Sequence, residues 1–362
     1  MNFEKETKLI LECIKKGVFS QGEYVKEFEK QFSNYCNIKY ASAIINGTAA
    51  LHIALKALGI KEGDEVIVPS LTFIATANAV SYCGAKPIFV DCLKDTYCID
   101  PKDIKNNITK KTKAIIPVHL YGNMCNMDII NDIAKKHNLF IIEDAAEALG
   151  AEFNKKNAGS FSDISCFSFY SNKVITTGEG GMCLTNNPEL KEKIDILRAQ
   201  GKKKNEELKD GFEYAQEHFK CELLGYNYRM TNLQAAIGIA QLSKLKMLLK
   251  KRREIANLYY EKLQDKDLVL PTEEIKTKHS YWMFPILVKD EKIKIKIMND
   301  SRKLKLSINS FFYPCHKQPF YDKGETLKIT ENCWKKGIIL PTDPQLGEEK
   351  INKIIELISE NT

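Results

Sequence analysis

Between Ala41 and about Asn187 the chain alternates two hydrophobic rhythms. Segments such as 47-GTAALHIALKALG-59 and 126-NMDIINDIAKKHN-138 repeat apolar residues at three- and four-residue spacing, which predicts helices. Between such segments lie the runs 65-EVIVPS-70, 87-PIFVD-91, 114-AIIPVHL-120 and 139-LFIIED-144. These are rich in Ile, Val and Phe and lack the in-out alternation of a half-exposed strand. Continuous apolar strands between helices predict a mainly parallel sheet covered on both faces, an α/β architecture. Sheets of that kind take their ligands beyond the carboxyl ends of their strands.

The rhythm changes after about residue 225. The stretch 231-TNLQAAIGIAQLSKLKMLLKKRREIANLYYEKLQ-264 predicts one long helix, capped by Thr231 or Asn232. Strand-like 281-YWMFPILV-288, a polar helix over 290–305 and a last helix over 347–360 follow. The expected division is a large α/β domain over 1–240, with the N-terminal segment packed on it, and a smaller C-terminal α+β domain over 241–362.

Bulk properties narrow the class. The chain has 362 residues, 44% hydrophobic and 28% charged, the balance of a water-soluble globular protein with a large core. Its net charge of +7 comes from 54 basic and 47 acidic residues spread along the chain. Charge interleaved with other residues reads as solvated surface and argues against a nucleic-acid partner. Eleven cysteines, scattered and odd in number, form no metal-site pairs and indicate a reducing, cytoplasmic compartment. No apolar run reaches the length of a membrane span, and the N-terminus has no signal-peptide core.

Five stretches are candidates for chemistry, and each has an ordinary alternative. Asn46-Gly47-Thr48 opens an apolar helix whose free amides suit a phosphate, although many capped helices look the same. Glu143-Asp144 ends an apolar strand, where a carboxylate either anchors a protonated ring nitrogen or caps the next helix. In 165-SCFSFYSNKVITTGEGGMCLTN-186, Lys173 sits between an aromatic run bearing Ser168 and a glycine-rich turn. A lysine that attacks a carbonyl must be neutral part of the time, which a sheltered setting favours; the plain alternative is a turn lysine paired with Glu179. Asn227 and Arg229, in 225-GYNYRMTNLQAAIG-238, suit either phosphates or a helix end. The aromatic loop 311-FFYPCHKQPFY-321, carrying Tyr313 and His316, suits either a stacked ligand or domain packing.

Taken in order, GTAAL, TFIATANAV, EDAAEALGA, SFYSNKVITTGEGGM and GYNYRMTNLQAAIG resemble the sugar-nucleotide aminotransferases of the DegT/DnrJ/EryC1/StrS type, from about Phe19 to the end. The resemblance implies the aspartate-aminotransferase-like fold, type I, and pyridoxal 5′-phosphate as cofactor, with pyridoxamine 5′-phosphate as its aminated form. It implies that Lys173 is the Schiff-base lysine and proton carrier and that Asp144 pairs with the pyridinium nitrogen. Phe73 matches the aromatic stacked on the ring. Thr48, Ala49 through its amide, and Ser168 match the phosphate cup, and Glu147 the residue near the ring hydroxyl. Asn227 matches a residue reaching the neighbouring subunit's cofactor, which implies a homodimer. Arg229, Tyr313 and His316 match positions on the sugar-nucleotide side. The implied substrates are L-glutamate and a nucleotide-linked 4-keto-6-deoxyhexose, the base read in part by residues 202–223. A dehydratase on the same scaffold carries histidine in place of the lysine, and a non-catalytic relative loses Asp144 or Lys173; both are present here.

Overall fold

The computed structural model describes residues 3–203, 220–274 and 276–362. In chain order the strands of its first part are β1 (Tyr40–Ile44), β2 (Glu65–Pro69), β3 (Lys86–Val90), β4 (Thr112–Ile115), β5 (Phe140–Asp144), the short β6 (Glu152–Phe153) and β7 (Lys156–Asn157), β8 (Ile164–Ser168) and β9 (Gly181–Thr185). Seven of them form one sheet in the order β1-β9-β8-β5-β4-β2-β3. Every pairing from β8 to β3 is parallel, and only β9 runs against its neighbours.

The unbroken apolar runs follow from this topology. Val66, Val68, Ala114, Ile142 and Ile164 pack into one core layer. Their in-between neighbours Ile67, Ile115 and Ile141 pack into another. A strand with helices on both sides hides successive residues on alternate faces, so each must be apolar. Each buried branched side chain contributes about 1.5–3 kcal/mol. At the strand's end the same alternation sorts two carboxylates: Asp144 follows Ile142 to one face, and Glu143 follows Ile141 to the other.

The long helix expected over 231–264 is two helices, Asn232–Leu242 and Leu245–Leu263. Thr231 caps the first in a full capping box with Gln234. The break has a local cause. The Ser243 hydroxyl donates to the Ala240 carbonyl (2.7 Å), and the Lys244 amide takes the three-residue partner Gln241 (2.9 Å). Gln241 and Lys244 then both reach the buried Glu6 of the N-terminal helix.

The remaining strands are β10 (Leu268–Val269), β11 (Thr277–Lys278), β12 (Met283–Val288), β13 (Asn309–Ser310) and β14 (Gly337–Pro341). Four of these form an antiparallel sheet, β10-β12-β14-β13, and β11 joins β6 and β7 in a small third sheet. Helices Leu245–Leu263, Glu291–Lys303 and Glu348–Ser359 cover the four-stranded sheet with their own core, including Tyr259, Phe284, Ile297, Ile338 and Ile354. Helix Lys328–Lys336 and strand β14 have no counterpart in the sequence expectations. No helix among the described residues is long and apolar enough to cross a membrane. All eleven cysteines are unbridged, and ten of them are buried.

Candidate active site

Three chain segments converge at the carboxyl ends of β5 and β8. The first is helix Gly47–Ala57, which is capped by Asn46, whose side chain accepts the Ala49 amide at 2.8 Å. Its leading amides, at Gly47 and Thr48, have no helical carbonyl to bond and open toward the cleft. A side chain at Gly47 would lie 2.8 Å from the Ser168 β-carbon, so only glycine lets the helix start this close to the end of β8. Helix N-terminus and serine hydroxyl together form a seat for an anion.

The second segment is the end of β5. Asp144 is buried, with its carboxylate accepting from the Thr76 hydroxyl (2.8 Å) and the Ala146 amide (3.2 Å). Burial raises its pKa, and the Thr76 and Ala146 donors and the charge of Lys173 only partly offset that. Glu143, on the opposite face, has four donors instead: the His119 ring (2.9 Å), the Gly159 and Phe161 amides and the Ser162 hydroxyl. His119 Nδ1 accepts the Cys125 amide, so Nε2 carries the proton given to Glu143. Burial pushes the Glu143 carboxyl up, but His119 and the amides more than compensate, leaving it below the usual range. Of two adjacent carboxylates, Glu143 is a saturated structural anchor and Asp144 faces the cleft short of a cation.

The third segment is the loop after β8, closed where the Phe169 amide donates to Gly180 and the Thr177 amide to Phe169. Lys173 projects from it. Its Nζ stands 3.5 Å from Glu147 Oε1 and 3.9 Å from the centre of the Trp282 ring. Among the described residues its ion-pair partner is Glu147 and not Glu179. Burial raises the Glu147 pKa, while Lys173 and the Tyr121 amide (2.9 Å to Oε2) pull it down.

These groups line one cleft of about 460 Å³ together with Thr72, Phe73, Thr76, Tyr170, Asn172, Trp282 and Phe312. Phe73 is 54% exposed although aromatic, its edge against Phe312 at 5.9 Å. Thr48, Phe73, Asp144, Glu147, Ser168 and Lys173 therefore meet in one place. The Ala49 amide is engaged by Asn46. Asn227 and Arg229 lie outside the cleft wall, in backbone bridges with Ala199 and Ile44. Tyr313 is half exposed and set edge-on to Trp334. His316 is buried, its Nδ1 at 2.6 Å from the Ser70 hydroxyl and its Nε2 at 3.2 Å from Glu331. Most of the 202–223 stretch lies outside the described residues.

Sequence reasoning passed over Thr76, Trp282 and Phe312. Thr76 had a signal, since it stands one helical turn after Phe73 in TFIATANAV. Trp282 had none, because it reaches Lys173 across 109 residues of chain. The assembled donor set fits pyridoxal phosphate: a buried carboxylate short of a cation for the ring nitrogen, an amide-and-hydroxyl seat for the phosphate, and an amine between them for the aldehyde.

Comparisons with known proteins agree. The family model for DegT/DnrJ/EryC1/StrS aminotransferases matches residues 2–359. GDP-perosamine synthase of Caulobacter vibrioides is 42% identical over 362 residues, covering 98% of this chain and 95% of the relative. The dTDP-3-amino-3,6-dideoxy-alpha-D-galactopyranose transaminase of Aneurinibacillus thermoaerophilus is 38% identical, covering 99% and 96%. The PLP form of Spr1654 from Streptococcus pneumoniae superposes with a TM-score of 0.92 at 25% identity, covering 100% of this chain and 96% of that one. With sheet, cleft and sequence in agreement, the chain belongs to the DegT/DnrJ/EryC1/StrS aminotransferase family, a family of pyridoxal-phosphate enzymes.

Proposed function

We propose that this protein moves an amino group from L-glutamate to C4 of a nucleotide-linked 4-keto-6-deoxyhexose, with a GDP-linked sugar as the favoured substrate. The observation that carries the reading is the single cleft shared by the Lys173 amine and the Asp144 carboxylate. Likeness to GDP-perosamine synthase over nearly the whole chain supports the nucleotide and the position of amination. Likeness to a 3-amino sugar transaminase makes the 3-position the second reading.

Pyridoxal phosphate supplies an aldehyde that takes up the amine and a ring that accepts the electrons of a deprotonated carbon. The chain's own groups do the rest. Asp144 holds the ring nitrogen in its protonated state. The amides of Gly47 and Thr48, with Ser168, would hold the phosphate, and Phe73 would stack on the ring. Lys173 Nζ takes the proton from the donor's α-carbon and, in the return half, delivers one to the sugar carbon. Glu147 keeps that amine in place between transfers and faces the ring hydroxyl. We place Asn227 at a partner subunit's cofactor, which makes the working unit a homodimer, and Arg229, Tyr313 and His316 around the sugar nucleotide. Two substrates using one amine carrier in turn require ping-pong kinetics.

The test is incubation of enzyme and glutamate with GDP-, UDP- and dTDP-linked 4-keto-6-deoxy sugars, with the products located by mass spectrometry and NMR. The GDP-linked sugar should give the 4-amino product fastest. A product aminated at C3, or turnover confined to another nucleotide, overturns the substrate assignment.

A further inference from the structure

We infer that Trp282 is a positioning residue for the Lys173 amine, a π-face that holds the amine at the cleft whenever Lys173 is not joined to the cofactor. The inference rests on the proposed role of Lys173 as amine carrier and proton carrier. A lysine in that role is released in every half-reaction and must return to the same carbon. Its side chain has four rotatable bonds, so something must limit where the free amine goes.

Among the described residues, two close contacts hold it here. The Glu147 carboxylate at 3.5 Å is at the outer limit of a hydrogen bond. The Trp282 ring, 3.9 Å from Nζ, is well inside cation–π range, and tryptophan is the strongest aromatic partner for a cation. The Lys173 side chain is 13% exposed and Trp282 is buried, so little water screens the contact.

The indole is itself fixed at both ends. Its Nε1–H donates to the carbonyl of Asn172, the residue before the lysine, at 2.6 Å. The Trp282 backbone carbonyl accepts from buried Arg252 (3.0 Å), and the Thr342 hydroxyl is shared between it (2.8 Å) and the Tyr281 carbonyl (2.6 Å). Trp282 thus fastens the antiparallel sheet to the lysine loop at the reacting amine.

Backbone strain points to the same place. Tyr281, just before Trp282, has φ of 49°, and Tyr121, whose amide holds Glu147, has φ of 58°. Left-handed φ at a bulky residue is unfavourable and persists where the surroundings enforce it. Tyr281 is enforced by its amide's bond to His279 Nδ1 (2.8 Å) and by ring stacking at 4.2 Å. Both partners of the Lys173 amine are therefore carried by strained tyrosines, one from each side of the cleft.

The test compares W282F, which keeps a π-face and loses the indole donor, with W282L, which loses both. A third variant, T342V, removes one anchor of the Trp282 carbonyl and leaves the ring in place. Lys173 is labelled with an amine-reactive reagent in the pyridoxamine-loaded protein at one fixed pH and quantified by mass spectrometry. W282L should label about three- to thirtyfold faster than wild type, the span of a cation–π contact from part-exposed to desolvated. W282F should lie between, and T342V close to wild type. In W282L kcat should fall while the KM for glutamate holds, and W282F should recover most of kcat. Equal labelling in all four proteins, or W282F no better than W282L, overturns the inference. Borohydride trapping of the cofactor on wild-type protein separates the two ideas. A cofactor trapped on another lysine defeats the role of Lys173, whereas one trapped on Lys173 with equal labelling defeats only the role of Trp282.

Discussion

Replacing Asp144 with asparagine sets stability against function at one atom. The carboxylate is 4% exposed and accepts from Thr76 (2.8 Å) and Ala146 (3.2 Å). An asparagine oxygen keeps the Ala146 bond, and its NH2 turns to Thr76, whose hydroxyl can donate instead to Thr72 at 3.3 Å. No donor is orphaned, and an under-paired buried charge is removed. The relief is about 1 kcal/mol, at the low end of the ~1–3 kcal/mol for an under-satisfied buried group. The cofactor-free variant should therefore melt roughly 2–4 °C higher than the cofactor-free wild type.

Its pH dependence should change in a defined direction. Burial raises the Asp144 pKa, so the folded chain binds more protons than the unfolded chain. The stability of cofactor-free wild type then falls as pH rises from the ordinary aspartate value of 3.8 through the folded value. D144N lacks that slope. In the loaded protein the same change removes the anion that keeps the ring nitrogen protonated. Amine transfer from glutamate should fall about a thousandfold, the upper end for losing one preorganised electrostatic contact. Scanning calorimetry of both forms and single-turnover transfer provide the readouts. A cofactor-free D144N that melts several degrees lower, or that transfers amine at the wild-type rate, refutes the reasoning.

Other residues give sharper structural expectations. Glu143→Gln turns an NH2 toward donors now satisfied by a carboxylate, and should cost about 3 kcal/mol in urea unfolding. The stability Glu143 contributes is complete above the ordinary glutamate value of 4.5 and is lost as pH falls through its lower folded value, so the acid limb of wild type should flatten in E143Q. Gly181→Ala places a β-carbon 2.5 Å from the Asn46 carbonyl oxygen and 3.0 Å from that of Phe167. Both obstacles are backbone, so the urea midpoint should drop by the equivalent of about 1–3 kcal/mol, with weaker cofactor retention on dialysis.

The parts legible from sequence are those with short-range causes. Unbroken Ile/Val runs gave away a sheet covered on both faces, and Asn46 and Thr231 announced the helix starts they cap. Asp144 at a strand end and Lys173 beside a glycine turn were readable because strand, turn and residue type coincide locally. What escaped depends on distant partners. The break at Ser243 comes from a hydroxyl bonding back along its own helix, which periodicity does not register. The plain alternative for Lys173 pairs it with the sequence neighbour Glu179, whereas the fold supplies Glu147 from the turn after β5 and Trp282 from just before β12. The strained φ values at Tyr121 and Tyr281 likewise follow from tertiary contacts, since tyrosine gives no local reason to adopt them.

The central claim, that Lys173 carries the cofactor and moves its proton, is tested most directly by visible absorption before and after glutamate. Purified wild type, supplied with pyridoxal phosphate and freed of excess, should be yellow, lose that absorption on adding glutamate, and release one equivalent of 2-oxoglutarate per site. Lys173→Ala should show neither the glutamate response nor the release. A wild-type protein that stays colourless and retains no cofactor, or a Lys173→Ala protein that responds like wild type, would contradict the account.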